Sequence, residues 1–180
     1  AFSLIGSENA AENVGLLVGE QYQNDLTVDG VTTPGHVFTV TGHRNVGGLA
    51  GLINVNSAKL SNITLEHSVD QETSDVKIVY GSEKYVGGLI GNLQVSHAIE
   101  LNNVNVKAPV RGGQDVGGLI GHAFVVDATV NGALVSSVVN GGKSVGGFFG
   151  YLGYMMSGAK IIFDCESRPV RYVVKSSADA

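Results

Sequence analysis

Few side chains in this 180-residue chain have the types and spacing to do chemistry. The closest to a functional motif is a glycine phrase, Val46-Gly47-Gly48-Leu49-Ala50-Gly51. It returns as Val86-Gly87-Gly88-Leu89-Ile90-Gly91, Val116-Gly117-Gly118-Leu119-Ile120-Gly121 and Val145-Gly146-Gly147-Phe148-Phe149-Gly150, with a weaker copy at 14–19. Glycine-rich loops can cradle phosphate, but they then open a helix and carry a lysine or a spaced Gly-x-Gly-x-x-Gly. Neither feature follows these copies, and a nucleotide site does not repeat its loop four times.

The sequence has one polar, acidic run, Glu66-His67-Ser68-Val69-Asp70-Gln71-Glu72-Thr73-Ser74-Asp75. Three readings compete for it. It is a solvated surface bulge, since long loops cost little. Alternatively it is a partner-contact loop made by Glu66, His67, Asp70, Glu72 and Asp75. The third reading is a weak Ca²⁺ site using Glu66, Asp70, Glu72 and Asp75, but the alternation and turn glycine of an EF-hand loop are missing. The bulge is the preferred reading and the contact loop the second.

Acid–base catalysis on a polysaccharide needs carboxylates converging on one face beside a basic residue. Glu100, Lys107 and Asp127 share no register in the sequence, and His36, His43, His67, His97 and His122 fall at unrelated places. Thr39-Val40-Thr41 has no equivalents in the following repeats, which argues against an ice-binding threonine array. Cys165 is the single cysteine, so neither an intrachain disulfide nor a cysteine metal cluster is expected. These residues lead us to expect no enzyme, no cofactor and no metal.

Composition sets the background. Hydrophobic content of 43% supports a core, while the charged fraction of 15% is low for a globular chain. A formal charge of −5 with no basic cluster in the sequence argues against nucleic acid and anionic lipid as partners. No apolar stretch approaches the ~20 residues of a membrane span. The 26 glycines come with only three prolines and no Gly-X-Y period, which excludes collagen.

The elements that carry these residues are written in the repeat itself. Starts of successive phrases lie 32, 40, 30 and 29 residues apart. Between them recurs a corner: Val28-Asp29-Gly30-Val31, Leu60-Ser61-Asn62-Ile63, Leu101-Asn102-Asn103-Val104 and Val130-Asn131-Gly132-Ala133. The second member of each central pair tolerates left-handed backbone. A third landmark alternates with period two, as Phe38-x-Val40, Ile78-x-Tyr80, Ala108-x-Val110 and Ser137-x-Val139. Gly42, Ser82, Gly112 or Gly141 follows two residues later.

Antiparallel hairpins in a sandwich would also show short strands and small turns. They would not need the same corner at the same place in every repeat, whereas a parallel coil does. The expected fold is therefore all-β: a parallel β-solenoid (β-helix) of about five rungs with three short strands per rung. Residues 1–180 form one such module, with repeats starting near 14, 46, 86, 116 and 145. Residues 151–180 read as an irregular terminal rung or cap, in which the corner pair becomes Lys160-Ile161. In the second repeat Ile63 to Val86 spans 23 residues where Val104 to Val116 and Ala133 to Val145 span 12, so eleven extra residues fall around the acidic run, and the first repeat has a smaller insertion around Thr32-Thr33-Pro34-Gly35-His36.

Val-Gly-Gly-Leu-x-Gly with a downstream Asn-Val or Asn-Ile corner resembles the GLUG motif, from about Val14 to about Gly158. That family occurs in bacterial secreted and surface-anchored proteins, including adhesins and non-catalytic regions of immunoglobulin A-cleaving metalloproteases. The resemblance implies a bacterial secreted or cell-surface module that is structural or adhesive and belongs to a larger polypeptide with flanking domains. It implies a host-surface protein or a glycan as partner and carries over no catalytic residue. His-Glu-x-x-His is absent from the chain. The alternatives are a carbohydrate-binding or carbohydrate-active β-helix and an accessory domain of a secreted protease.

Overall fold

The computed structural model describes residues 2–33, 38–67, 78–136, 138–154, 160–164 and 173–176. Fifteen strands follow one another without a helix among the described residues. They begin with β1 (Phe2–Ile5), β2 (Glu12–Gly15), β3 (Val18–Asp29), β4 (Thr32–Thr33), β5 (Phe38–Gly47) and β6 (Ala50–Glu66). Next come β7 (Val79–Gly87), β8 (Ile90–Lys107), β9 (Val110–Gly117), β10 (Ile120–Asn131) and β11 (Leu134–Val135). The last are β12 (Val138–Gly146), β13 (Phe149–Tyr154), β14 (Lys160–Asp164) and β15 (Val173–Ser176).

Two sheets result. The first runs β1-β5-β7-β9-β12-β15, with β2 also on β5. The second runs β13-β10-β8-β6-β3, with β4, β11 and β14 at its margins. Pairing is parallel throughout, and each strand lies on the equivalent strand of the next repeat: Val40↔Val79↔Val110↔Val139 in the first sheet, Ile53↔Leu93↔Ala123 in the second. The chain is thus all-β with parallel strands in two sheets, the arrangement a β-solenoid requires.

The glycine phrase carries the chain from the first sheet to the second. Val46, Val86 and Val116 are fully buried, as are Leu49, Leu89 and Leu119 and the residue after each leucine. Backbone hydrogen bonds continue across the bend from repeat to repeat. Leu49 N–H donates to Leu89 O at 2.8 Å, and Leu89 N–H to Leu119 O at 2.8 Å. Only glycine fits such an approach. A Cβ on Gly87 would lie 2.0 Å from Ile90 O, and one on Gly88 would lie 2.1 Å from Gly118 O in the stacked repeat. The phrase is architectural, and its conservation of type from repeat to repeat follows from contact between backbones.

The corner pairs behave as their residue types require. Gly30, Asn62, Asn103 and Gly132 all have positive φ, at +76°, +54°, +52° and +65°. Side chains tie these corners together along the stack. Asn62 Nδ2 donates to Asp29 Oδ1 and Asn103 Nδ2 to Asn62 Oδ1, each at 2.8 Å.

Two expectations are corrected. In the second repeat, Val79 and not Tyr80 pairs with Val40 and Val110, and Gly81 and not Ser82 takes the glycine position. One of the eleven extra residues is a bulge between Gly81 and Lys84, which restores register before the phrase. An extra residue at a bulge shifts a period-two pattern by one, so alternation alone misaligned the strand. In the last repeat, Lys160 pairs with Asp127 and Asp164 with Asn131. The corner position therefore falls at Asp164, not at Lys160-Ile161. The threonine reading survives the new register, since Thr41 stacks on Tyr80, then Arg111, then Asn140.

Candidate functional site

A second column of left-handed residues stands one position before each phrase: Asn13, Asn45, Tyr85, Asp115 and Ser144, with φ from +50° to +61°. Asparagine and aspartate tolerate this conformation, but a tyrosine at φ +61° is uncommon. The phrase then turns the chain so that the residue seven positions on returns beside this column. Asn13 Nδ2 meets the Glu20 carboxylate in this way, and Asp115 meets His122. The upper part of the seam is an amide ladder: Asn45 Nδ2 donates to Asn13 Oδ1 at 2.6 Å, and Asn92 Nδ2 to Asn45 Oδ1 at 3.2 Å.

The lower part is where distinctive chemistry gathers. Asp115 Oδ2 lies 2.7 Å from His122 Nδ1, and the side chains are 4% and 12% exposed. An ionised carboxylate can only accept, so His122 Nδ1 carries the proton of this bond. The imidazole is enclosed by aromatic rings. Tyr151 stacks on it at 4.7 Å between centroids with 9° between planes, Tyr85 lies at 4.3 Å, and Phe124 meets it edge-on at 5.0 Å. Phe124 and Tyr151 also touch each other, with centroids 5.6 Å apart. Both rings close over Gly153, where a Cβ would sit 2.6 Å from Phe124 Cε1 and 2.9 Å from Tyr151 Cε1. A buried carboxylate is costly unless it is paired and hydrogen-bonded, and His122 supplies that partner.

No protein-family model, curated protein or solved structure matches the chain.

The cluster belongs to the outer face of the second sheet, where Ile53, Val55, Leu93, Val95, Ala123 and Val125 point inward and are buried. The intervening residues form two columns on the opposite side of the strands, with Leu52 and Asn92 of the first buried. Glu20, Leu52, Asn92, His122 and Tyr151 make one; Tyr22, Asn54, Gln94, Phe124 and Gly153 make the other. Tyr22 and Tyr151 are 57% and 41% exposed.

The residues singled out in the sequence have other places. Glu66 sits at the end of β6, where its Oε1 takes an ion pair from Lys107 Nζ at 3.3 Å. His67 is buried, its ring set edge-on against Phe38 at 5.8 Å, and its Nδ1 accepts the Phe38 N–H at 3.3 Å. Burial lowers the His67 pKa. Asp70, Glu72 and Asp75 lie outside the described residues. Glu100 pairs with Lys59 at 3.4 Å, Lys107 with Glu66, and Asp127 stands opposite Ala98, so these three are not brought together. Among the described residues, no group of three His, Cys, Asp or Glu side chains is placed to hold a metal ion.

Stacking also gathers what the linear sequence scatters. Arg44, Lys84, Gln114 and Lys143 occupy one column of the first sheet. Glu12 pairs with Arg44 at 2.6 Å, and Glu83 lies 3.8 Å from Lys84 and 3.3 Å from His43. An open depression of about 240 Å³ lies nearby, lined by Tyr80, Arg111 and Asn140 over the backbone of Gly81, Gly112 and Gly141. The sequence held one usable signal for the aromatic cluster: a turn-forming residue immediately before Val-Gly in most repeats, replaced by tyrosine at 85.

Proposed function

We propose that the chain is a non-enzymatic β-solenoid module of a bacterial cell-surface or secreted protein, serving as a spacer and an adhesive surface. In this reading it has about five rungs of three short strands each. At ~4.8 Å per rung the module is a rod roughly 24 Å long. The GLUG resemblance supports the surface context.

One observation carries the reading: the interior is constant and the exterior is not. The three middle repeats bury valine, leucine and glycine at the same stacked positions, while the outer column changes from Tyr22 to Asn54 to Gln94 to Phe124. A scaffold of this kind adds length or changes surface chemistry without changing its core. Excising residues 86–115, one repeat, should leave a folded parallel-β protein shorter by about 4.8 Å along its axis. Far-UV circular dichroism and small-angle scattering measure both properties. Collapse of the fold, or a polysaccharide hydrolase or lyase activity mapped to this chain, would refute the proposal.

The carbohydrate-binding alternative is favoured by a specific feature, the mixed aromatic and amide face of the second sheet.

A further inference from the structure

The outer face of the second sheet combines aromatic rings with primary amides. Along the column Tyr22, Asn54, Gln94 and Phe124, a ring stands at each end and two primary amides stand between them. Asn54 is exposed and Gln94 half-buried, so both amides face outward beside the rings. Successive members are one strand spacing apart, about 4.8 Å, so the column extends roughly 14 Å along the stacking axis. At its lower end Phe124 is continuous with Tyr151 and the His122 stack.

Charge separates this pair of columns from the first sheet, although the second sheet carries Asp25, Lys59, Glu100 and Asp127 farther along its strands. Within the two columns the ionisable side chains are Glu20, which Asn13 engages, and His122, which Asp115 engages. The first sheet instead aligns Arg44, Lys84 and Lys143. A face of rings and amides without a net ionic column suits a ligand that is neutral and polyhydroxylated. Primary amides offer a donor and an acceptor together, which matches hydroxyl groups, and aromatic faces accept the apolar faces of sugar rings. The regular step along the axis suits a ligand that is itself a linear repeat.

We propose that this face binds a neutral linear oligosaccharide laid along the stacking axis. Tyr22 and the Phe124–Tyr151 pair are the stacking platforms, and Asn54 and Gln94 hydrogen-bond the units between them. The His122–Asp115 pair is a positioning element: it holds the imidazole on which Tyr151 stacks and against which Tyr85 tilts, and Gly153 leaves room for the Phe124 and Tyr151 ring edges to close over the backbone. The proposal rests on the adhesive reading above and gives that surface a ligand class.

The test is calorimetric titration of the full chain with three neutral probes: cellohexaose, the β-1,4-linked hexamer of N-acetylglucosamine, and mannohexaose. At least one should bind saturably and with little dependence on salt, and affinity should rise with oligomer length and level off once the column is filled. Tyr22→Ala and Phe124→Ala should each weaken binding about tenfold. Gly153→Ala should weaken it while the melting temperature stays near wild type, because the added Cβ meets the far ends of two side chains and not backbone. Lys143→Glu, on the other sheet, should leave binding unchanged. Failure of all three probes overturns the proposal, as does binding indifferent to Tyr22, Phe124 and Gly153. Concentration-dependent dimerisation that Phe124→Ala abolishes would also overturn it, by assigning the face to a second copy. Should the chain still adhere to cell surfaces while the sugars fail, only the glycan assignment falls and the adhesive reading stands.

Discussion

Replacing Gly88 by alanine would put a Cβ 2.1 Å from Gly118 O and 2.8 Å from Val106 Cγ1. Ordinary carbon contacts begin well beyond 3 Å, so the two backbones would have to part by roughly 1 Å. That movement acts where Gly88 N–H donates to Gly117 O at 3.1 Å, Leu89 N–H to Leu119 O at 2.8 Å and Ile90 N–H to Leu119 O at 3.0 Å. Weakening three such bonds, at about 1 kcal/mol each, with about 1 kcal/mol of overpacking, gives a loss near 4 kcal/mol. Gly132→Ala is the control. Its φ of +65° strains any L residue by about 1–2 kcal/mol, but the nearest atoms to the new Cβ are 3.7 Å away. Urea unfolding followed by far-UV circular dichroism should therefore separate the two variants by at least 2 kcal/mol. By thermal melting, Gly88→Ala should fall by about 10 °C and Gly132→Ala by about 4 °C. Equal losses would refute the argument that the phrase glycines are required by contact between stacked repeats.

Three further outcomes follow from particular residues. Asn103 is left-handed and donates to Asn62, so Asn103→Gly should cost no more than about 1 kcal/mol and Asn103→Val about 2–3 kcal/mol in the same urea assay. His122→Ala strips the buried Asp115 of its partner and should cost about 3 kcal/mol. Adding Asp115→Asn to that variant should restore part of the loss, and a double mutant no more stable than the single would show the two residues uncoupled. His67 has a lowered folded-state pKa, so the unfolded chain binds its proton first as pH falls. Its contribution should be unchanged above about pH 6.5 and be lost below it by up to about 1.4 kcal/mol per pH unit, until the folded-state pKa is passed. Urea midpoints at pH 7.5, 6.0 and 5.0 should show this slope reduced in His67→Leu.

What the sequence determined by itself is local and backbone-level. Gly30, Asn62, Asn103 and Gly132 were readable as corners because few residue types accept positive φ, and the structure has all four there. The phrase was readable as a buried bend because Val and Leu must leave water while glycine alone permits the approach. The repeat period likewise pointed to parallel stacking. Tertiary structure decided which side chains meet. Asp115 and His122 are seven residues apart, yet only the turn between sheets brings them to 2.7 Å. Tyr85 and Tyr151 reach the same imidazole from repeats on either side. Those neighbours depend on register, and register depends on single-residue bulges such as the one between Gly81 and Lys84. A slip of one residue turns a side chain to the opposite face of a strand. Alternation in the sequence therefore revealed that there was an outer face, but only the hydrogen-bonded register could show that Tyr22, Asn54, Gln94 and Phe124 share it.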